Sequence, residues 1–172
     1  MFAITGITGN IGGELARNLL AAKQPVRAVL RDARKAGPWA QAGCEVAVAD
    51  IADAAAMAAA FRGTEAVFVL VPPLFDPSPG FPEAQTIAAT LKLALEEGAP
   101  GSVVYLSTIG AQATRTNLLS QHTIIEQKLR DQMLDGFNEG WIDFEFDESA
   151  RRKETVALKT VLKGLIDRQT AG

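Results

Sequence analysis

The chain has 172 residues, enough for one domain with a sizeable core. Its 17 basic and 20 acidic residues give a net charge of −3, which implies no global attraction to nucleic acid or to an anionic membrane. The longest apolar run, Ala66 to Phe75, is broken by Pro72 and Pro73 and is too short to span a bilayer.

Met1 to Thr5 reads as a short buried strand. It runs into Gly6-Ile-Thr-Gly9-Asn-Ile-Gly12 and then into a helical pattern from Gly13 to Leu20, with Ile11, Leu15 and Leu19 at helical spacing. Strand, glycine-spaced turn and helix in that order suit a dinucleotide pyrophosphate. Gly6 permits the tight turn, Gly9 lets phosphate approach the backbone, and Gly12 lets the helix pack on the strand. Thr8, Asn10 and Ile11 complete the turn, and the helix N-terminus faces the anion. No charged leader and apolar h-region precede this strand, so no secretory signal is expected.

Val26 to Leu30 is the second strand and Asp32 to Gln41 a short helix. A dinucleotide site that prefers NAD carries an acid at the end of strand two. Arg31 stands there instead, with Arg34 and Lys35 inside one turn. Guanidinium and ammonium groups at that place pair with a 2′-phosphate, which favours NADP(H) over NAD(H). A solvated basic helix start is the alternative, and Asp32 is close enough in sequence to approach the ribose, which keeps NAD(H) open.

Cys44 opens the third strand, Glu45 to Ala49, and reads as a small buried hydrophobe. As the sole cysteine it excludes an intramolecular disulfide framework and fits a reducing cytoplasm. Asp50 and Ile51 follow, placed to line an adenine pocket. A helix N-cap accounts for Asp50 equally well, because the alanine-rich helix Ala52 to Phe61 comes next. Glu65 to Val71 is a strand covered on both faces. Val71 and Pro72 open a proline-rich loop, which either overhangs the nicotinamide or is only a rigid connection. Pro82 to Glu97 is a helix stopped by Gly98. Val103 to Ser107 is the fifth strand and Asn117 to Leu134 a long helix. The alternation predicts an α/β fold, a doubly wound parallel sheet of Rossmann type in three α/β/α layers.

Thr5 to Gly12, Arg31 to Lys35, Ala49-Asp50, Tyr105-Leu-Ser-Thr-Ile-Gly110 and His122-Thr-Ile-Ile-Glu126 together resemble the NmrA-like branch of the atypical short-chain dehydrogenase/reductases. The resemblance spans about residues 1 to 130. It implies an NADP(H)-binding domain with a smaller substrate-binding region. Some members resemble NAD(P)H-dependent reductases of quinones or other small carbonyl compounds, others cofactor-sensing regulators without turnover. In the family a sixth strand and the substrate-binding part come next. That internal segment is absent here around Asp131, and the sequence from about Met133 resembles the family's extreme C-terminus.

Ordinary short-chain reductases use a Ser and a Tyr-x-x-x-Lys. Ser107 fits the first role, to orient a substrate oxygen. No Tyr-x-x-x-Lys follows, and the only tyrosine, Tyr105, lies inside the strand. On the helix, Leu118, His122, Ile125, Leu129 and Met133 form one stripe with Glu126 beside it. The lone histidine, His122, is therefore a candidate proton donor near neutral pH; packing, or a hydrogen bond to Ser107, is the bland alternative. No metal site is expected. In the tail, 131–172, alternation over Trp141 to Asp147 reads as a strand and Thr155 to Arg168 as an amphipathic helix packing on the domain. An uncovered edge and an apolar helix favour a homodimer. Three functions stand: an NADP(H)-dependent oxidoreductase, a redox-sensing binding protein, and a cofactor-binding remnant without a substrate site.

Overall fold

The computed structural model describes residues 1–108 and 115–138, with side chains to 130. The tail strand and helix expected after 138 lie outside the described residues.

Five short strands, β1 (Phe2–Ile4), β2 (Val26–Leu30), β3 (Glu45–Val48), β4 (Ala66–Val69) and β5 (Val103–Tyr105), form one sheet in the order β3-β2-β1-β4-β5. Every pairing is parallel. The chain starts in the middle, builds outward to β3, then crosses back to β4 beside β1. That reversal opens a crevice at the carboxyl ends of the strands. The doubly wound parallel fold expected from the alternation is the fold observed.

Strand alternation shows why β1 and β4 are apolar throughout. Ala3, Val29, Val67 and Val69 face a core shared with α3 (Ala54–Phe61), α4 (Pro82–Gly98) and α5 (Ser120–Asn138). Phe2, Ile4, Ala28, Leu30 and Phe68 are buried as well but do not belong to that core. Successive residues of a strand point to opposite faces, so both faces of the sheet are covered. Helix α1 (Asn10–Ala21) buries Gly12, Leu15, Ala16 and Leu19. Ile11, expected on the same stripe, is exposed: in the first turn it leaves the packed side and stands at the crevice end.

Three local expectations change. The helix over Asp32 to Gln41 divides into a 3-10 turn, Ala33–Lys35, and α2 (Gly37–Gln41) with Pro38 in its first turn. A proline has no N–H to continue the preceding turn. The N-cap of α3 is Asp53, whose carboxylate accepts from Ala56 N–H at 3.0 Å. Asp50, for which capping was one of two accounts, accepts instead from Ala52 N–H at 3.0 Å in the turn before it. Gly98 does not stop α4: it is the last helical residue, and Ala99 takes the left-handed conformation with φ 43°. Gly98 serves close packing, since a Cβ there would lie 2.8 Å from Phe61 Cβ and 3.0 Å from Ala58 O.

Among the described residues, no helix is long and apolar enough to cross a membrane.

Candidate functional site

The glycine turn owes its shape to contacts between its own glycines. Gly6 has φ +62°, the left-handed region that costs glycine least. Gly9 donates its N–H to Gly6 O at 3.0 Å and caps α1 in an extended conformation without any side-chain cap. A Cβ on Gly12 would fall 2.5 Å from Gly6 O and 3.0 Å from Ile7 Cα. Gly12 is thus required by the turn itself, rather than by the strand as the spacing suggested. The first turn of α1 holds no acid. Its leading N–H groups have no intrahelical partner, and the positive end of its dipole is uncompensated.

Thr5 fixes this turn to β4. Its buried hydroxyl accepts from Leu70 N–H at 2.8 Å and donates to Leu70 O at 3.2 Å, continuing the β1–β4 pairing through a side chain. Sequence reading placed Thr5 only as the end of a strand.

Beside the turn, a cleft of about 290 Å³ runs along the carboxyl ends of four strands. Thr5 to Thr8 line it from β1, Val29 to Asp32 and Lys35 from β2, Ala49 to Ile51 from β3, and Leu70 and Pro72 from β4. Met57 of α3 closes its floor. Of the residues expected to hold a cofactor, Gly6, Thr8, Arg31, Lys35, Asp50, Ile51 and Pro72 therefore meet in one cleft. Gly9, Asn10 and Ile11 are exposed on the adjoining turn and helix start, and Gly12 lies buried beneath it. Val71 is not on this cleft. It lines a smaller cavity behind it, with Phe81, Ile87, Gln121 and Ile125, and Pro72 borders both.

The basic residues after β2 are not equivalent. Arg34 is bound to Asp32, its Nε and Nη2 each donating to the carboxylate at 2.9 Å. These bonds hold the Asp32 carboxyl below the usual carboxylate range. Arg34 does not line the cleft, whereas Arg31 and Lys35 do. Arg31 Nε stands 4.0 Å from an Asp50 carboxylate oxygen with its side chain 81% exposed, so the guanidinium reaches over the rim with only a loose partner.

The residues expected to do chemistry lie elsewhere. Ser107 follows β5, and its hydroxyl donates to Glu126 Oε2 at 3.1 Å. Arg130 holds the other oxygen of Glu126 at 2.9 Å. His122 is buried, and its Nδ1 lies 2.9 Å from the Tyr105 hydroxyl. The Ser107–His122 bond that stood as the bland alternative is not formed: His122 meets Tyr105 at the end of β5, and Glu126 meets Ser107 just after it. Neither Ser107 nor His122 lines the two cavities described. Burial lowers the affinity of His122 for a second proton, which opposes the role of proton donor near neutral pH. Burial, and then Glu126, raise the Tyr105 phenol. Leu118, expected on the buried stripe of α5, precedes the helix and is exposed; Gln121 takes its place inside. Cys44 is buried, as expected, and burial pushes its thiol up.

Gln121 was not legible as a functional residue. Its amide accepts from Leu74 N–H at 2.9 Å and donates to Leu74 O at 3.1 Å and to Leu118 O at 2.8 Å. It pins the proline loop to the start of α5 much as a neighbouring strand would.

Known proteins share this fold. A 72-residue stretch is 39% identical to the NAD(P)H azoreductase of Xenophilus azovorans and covers 42% of this chain but 25% of that protein. The triphenylmethane reductase of Citrobacter sp., solved with NADP(H), superposes with a TM-score of 0.65 at 24% identity over 76% of this chain and 45% of its own. The NADPH-dependent quinone oxidoreductase QOR2 of Escherichia coli, solved with NADPH, gives 0.62 at 26% identity over 77% of this chain and 45% of its own. The chain thus spans less than half the length of these relatives. The sequence profile of the NAD(P)H-binding family matches residues 6–135, the glycine turn through most of α5, and the chain belongs to that family.

Proposed function

We propose that this chain is the NADP(H)-binding part of an NmrA-like oxidoreductase acting on a quinone or other small carbonyl compound. The observation that carries the reading is a single cleft joining the glycine turn to Arg31 and Lys35. The residues fit the cofactor. Uncapped α1 leaves N–H groups at Asn10, Ile11 and Gly12 for a pyrophosphate, and the Gly6–Gly12 contact leaves no room for a side chain there. Arg31 and Lys35 are placed for a 2′-phosphate, a group that NAD lacks. Asp50 and Ile51 border the adenine side and Pro72 the nicotinamide side, with Val71 in the smaller cavity that Pro72 also borders. Bound NADPH supplies hydride. Ser107 orients a substrate oxygen, once its bond to Glu126 is exchanged for one to substrate, and His122 offers a polar contact beside it.

The supporting neighbours are reductases of azo compounds, triphenylmethane dyes and quinones by their own names. They support reduction of a small conjugated acceptor without choosing among these.

Titration of tryptophan fluorescence with NADPH and NADH tests the cofactor. Trp39 is a built-in reporter, because its ring lies 3.5 Å from where a Gly13 Cβ would stand. NADPH is expected to bind more tightly; equal affinities refute the preference. NADPH oxidation over a panel of quinones tests the reaction. A second reading has its own observation: Ser107 and His122 are already paired, and no Tyr-x-x-x-Lys supplies an acid. On that reading cofactor occupancy is itself the output of a redox sensor. NADPH binding without oxidation across the panel selects it.

A further inference from the structure

Two side-chain hydrogen bonds tie β5 to α5 in register. Tyr105 ends β5 and Ser107 lies two residues on, just beyond it; His122 and Glu126 are one helical turn apart. Tyr105 takes His122 at 2.9 Å and Ser107 takes Glu126 at 3.1 Å. The aromatic rings of the first pair lie 6.4 Å apart at 42°, tilted so that the phenol oxygen rather than the ring face meets the imidazole.

We infer that Tyr105 is a positioning residue: its hydroxyl donates to His122 Nδ1 and holds the imidazole neutral with its proton on Nε2, so His122 presents a hydrogen-bond donor rather than an acid. The use of that donor at a reductase site rests on the proposed function; the tautomer does not.

A phenol–imidazole pair must place one proton between oxygen and nitrogen. Were Nδ1 the donor, the phenol O–H would need a second acceptor. Among the described residues the phenol oxygen has no other hydrogen bond. With the phenol as donor, its O–H is satisfied by the one bond, and the donor left over is the His122 Nε2–H, the group a ligand would meet. The surroundings work the same way. Burial and Glu126 keep the proton on the phenol, and burial keeps a second proton off the imidazole. Among the described residues, no neighbour offsets this. Glu126 is engaged by Ser107 and Arg130, Gln121 is an uncharged amide bound to Leu74, and α4 brings Ala84, Ala88 and Leu91 to the shared core. A neutral imidazole with Nε2–H polarises a carbonyl oxygen without giving up its proton, which is useful where hydride arrives and no Tyr-x-x-x-Lys exists.

The chain has one histidine and one tyrosine, so its spectra need no assignment by mutagenesis. Long-range 1H–15N correlation of the full chain reads both ring nitrogens of His122. The expected result is a protonated Nε2 and an unprotonated, hydrogen-bonded Nδ1 at neutral pH. Tyr105→Phe should shift the ring to mixed tautomers and move its titration upward, because the bond that favours the neutral ring is gone. A protonated Nδ1 in the unaltered chain overturns the inference without any variant. An unchanged tautomer and titration in a folded Tyr105→Phe chain overturns it too. NADPH titration on the same sample separates the two proposals: a wrong tautomer with intact binding sinks the tautomer alone. The right tautomer with no binding supports this inference and sinks the proposed function alone.

Discussion

Gln121 and Leu74 exchange two hydrogen bonds, at 2.9 and 3.1 Å, through which an α5 side chain pairs with the backbone of the proline loop. Gln121 is buried, and Pro72, two residues before Leu74, walls the cleft. The amide therefore sets how the loop stands over the cleft. Gln121→Leu keeps the volume but strands both loop groups. Each buried polar group left unpaired costs about 1–3 kcal/mol, less where water reaches it. The expected outcome is faster hydrogen exchange at Leu74 and a lower urea midpoint. Unchanged exchange at Leu74 would show that the loop is held by something else.

Gly12 and Gly37 make a matched pair of glycine tests. A Cβ on Gly12 meets the Gly6 carbonyl at 2.5 Å, whereas one on Gly37 meets nothing within 4 Å. Gly12→Ala must push α1 off the turn, a clash of the kind that costs about 1–3 kcal/mol. It should also weaken NADPH binding, because the same shift moves the leading N–H groups. Gly37→Ala, in the first turn of α2 and just before Pro38, gains about 0.4–1 kcal/mol from lower unfolded-state entropy, opposed by the contact of its Cβ with the Pro38 ring, so stability should change little. Chemical denaturation of the two variants checks the contrast; a loss of the same size at both positions would refute the packing account.

The contrast between what spacing reveals and what it hides is visible residue by residue. Gly6, Gly9 and Gly12 are local, so their order predicted both the turn and the fold behind it. The continuous apolar run of β4 predicted a strand covered on both faces, since nothing polar is tolerated there. The partners of Tyr105 and Ser107 are 17 and 19 residues away and leave no period in the sequence. Gln121 bonds a backbone 47 residues earlier, and any residue type can supply that backbone. Asp50 and Asp53 both stand just ahead of the alanine-rich helix, and only the chain path decides which of them caps α3. Arg34 was grouped with Arg31 and Lys35 by proximity, yet it is bound to Asp32 and does not line the cleft.

Arg31 and Lys35 line the cleft, and Arg34 does not. If the first two hold a 2′-phosphate, Arg31→Ala and Lys35→Ala should each weaken NADPH by about tenfold, roughly 1.4 kcal/mol, and leave NADH nearly unchanged. Arg34→Ala should change neither. The NADPH effect should shrink as salt rises, because Arg31 is 81% exposed and therefore screened. Equal losses for both dinucleotides would mean that these side chains shape the cleft without reading the phosphate.

The Tyr105–His122 pair should leave its mark on stability at both ends of the pH scale. Folding depresses the His122 pKa below its ordinary 6.5, so the unfolded chain takes up the proton first as pH falls. That contribution is complete above 6.5 and is lost as pH drops through the folded value. Folding raises the Tyr105 pKa above its ordinary 10.0, so the unfolded chain loses its proton first as pH rises. This contribution is complete below 10.0 and is lost on the way up to the folded value. The pair therefore stabilises most between about 6.5 and 10. Urea midpoints of the unaltered chain and of Tyr105→Phe, measured across pH 5 to 11, isolate it. Above pH 10 the unaltered chain should lose stability relative to the variant, which has no phenol to ionise. A difference that stays flat with pH would mean that Tyr105 keeps an ordinary pKa, and with it that the phenol is neither buried nor held as the 2.9 Å contact implies.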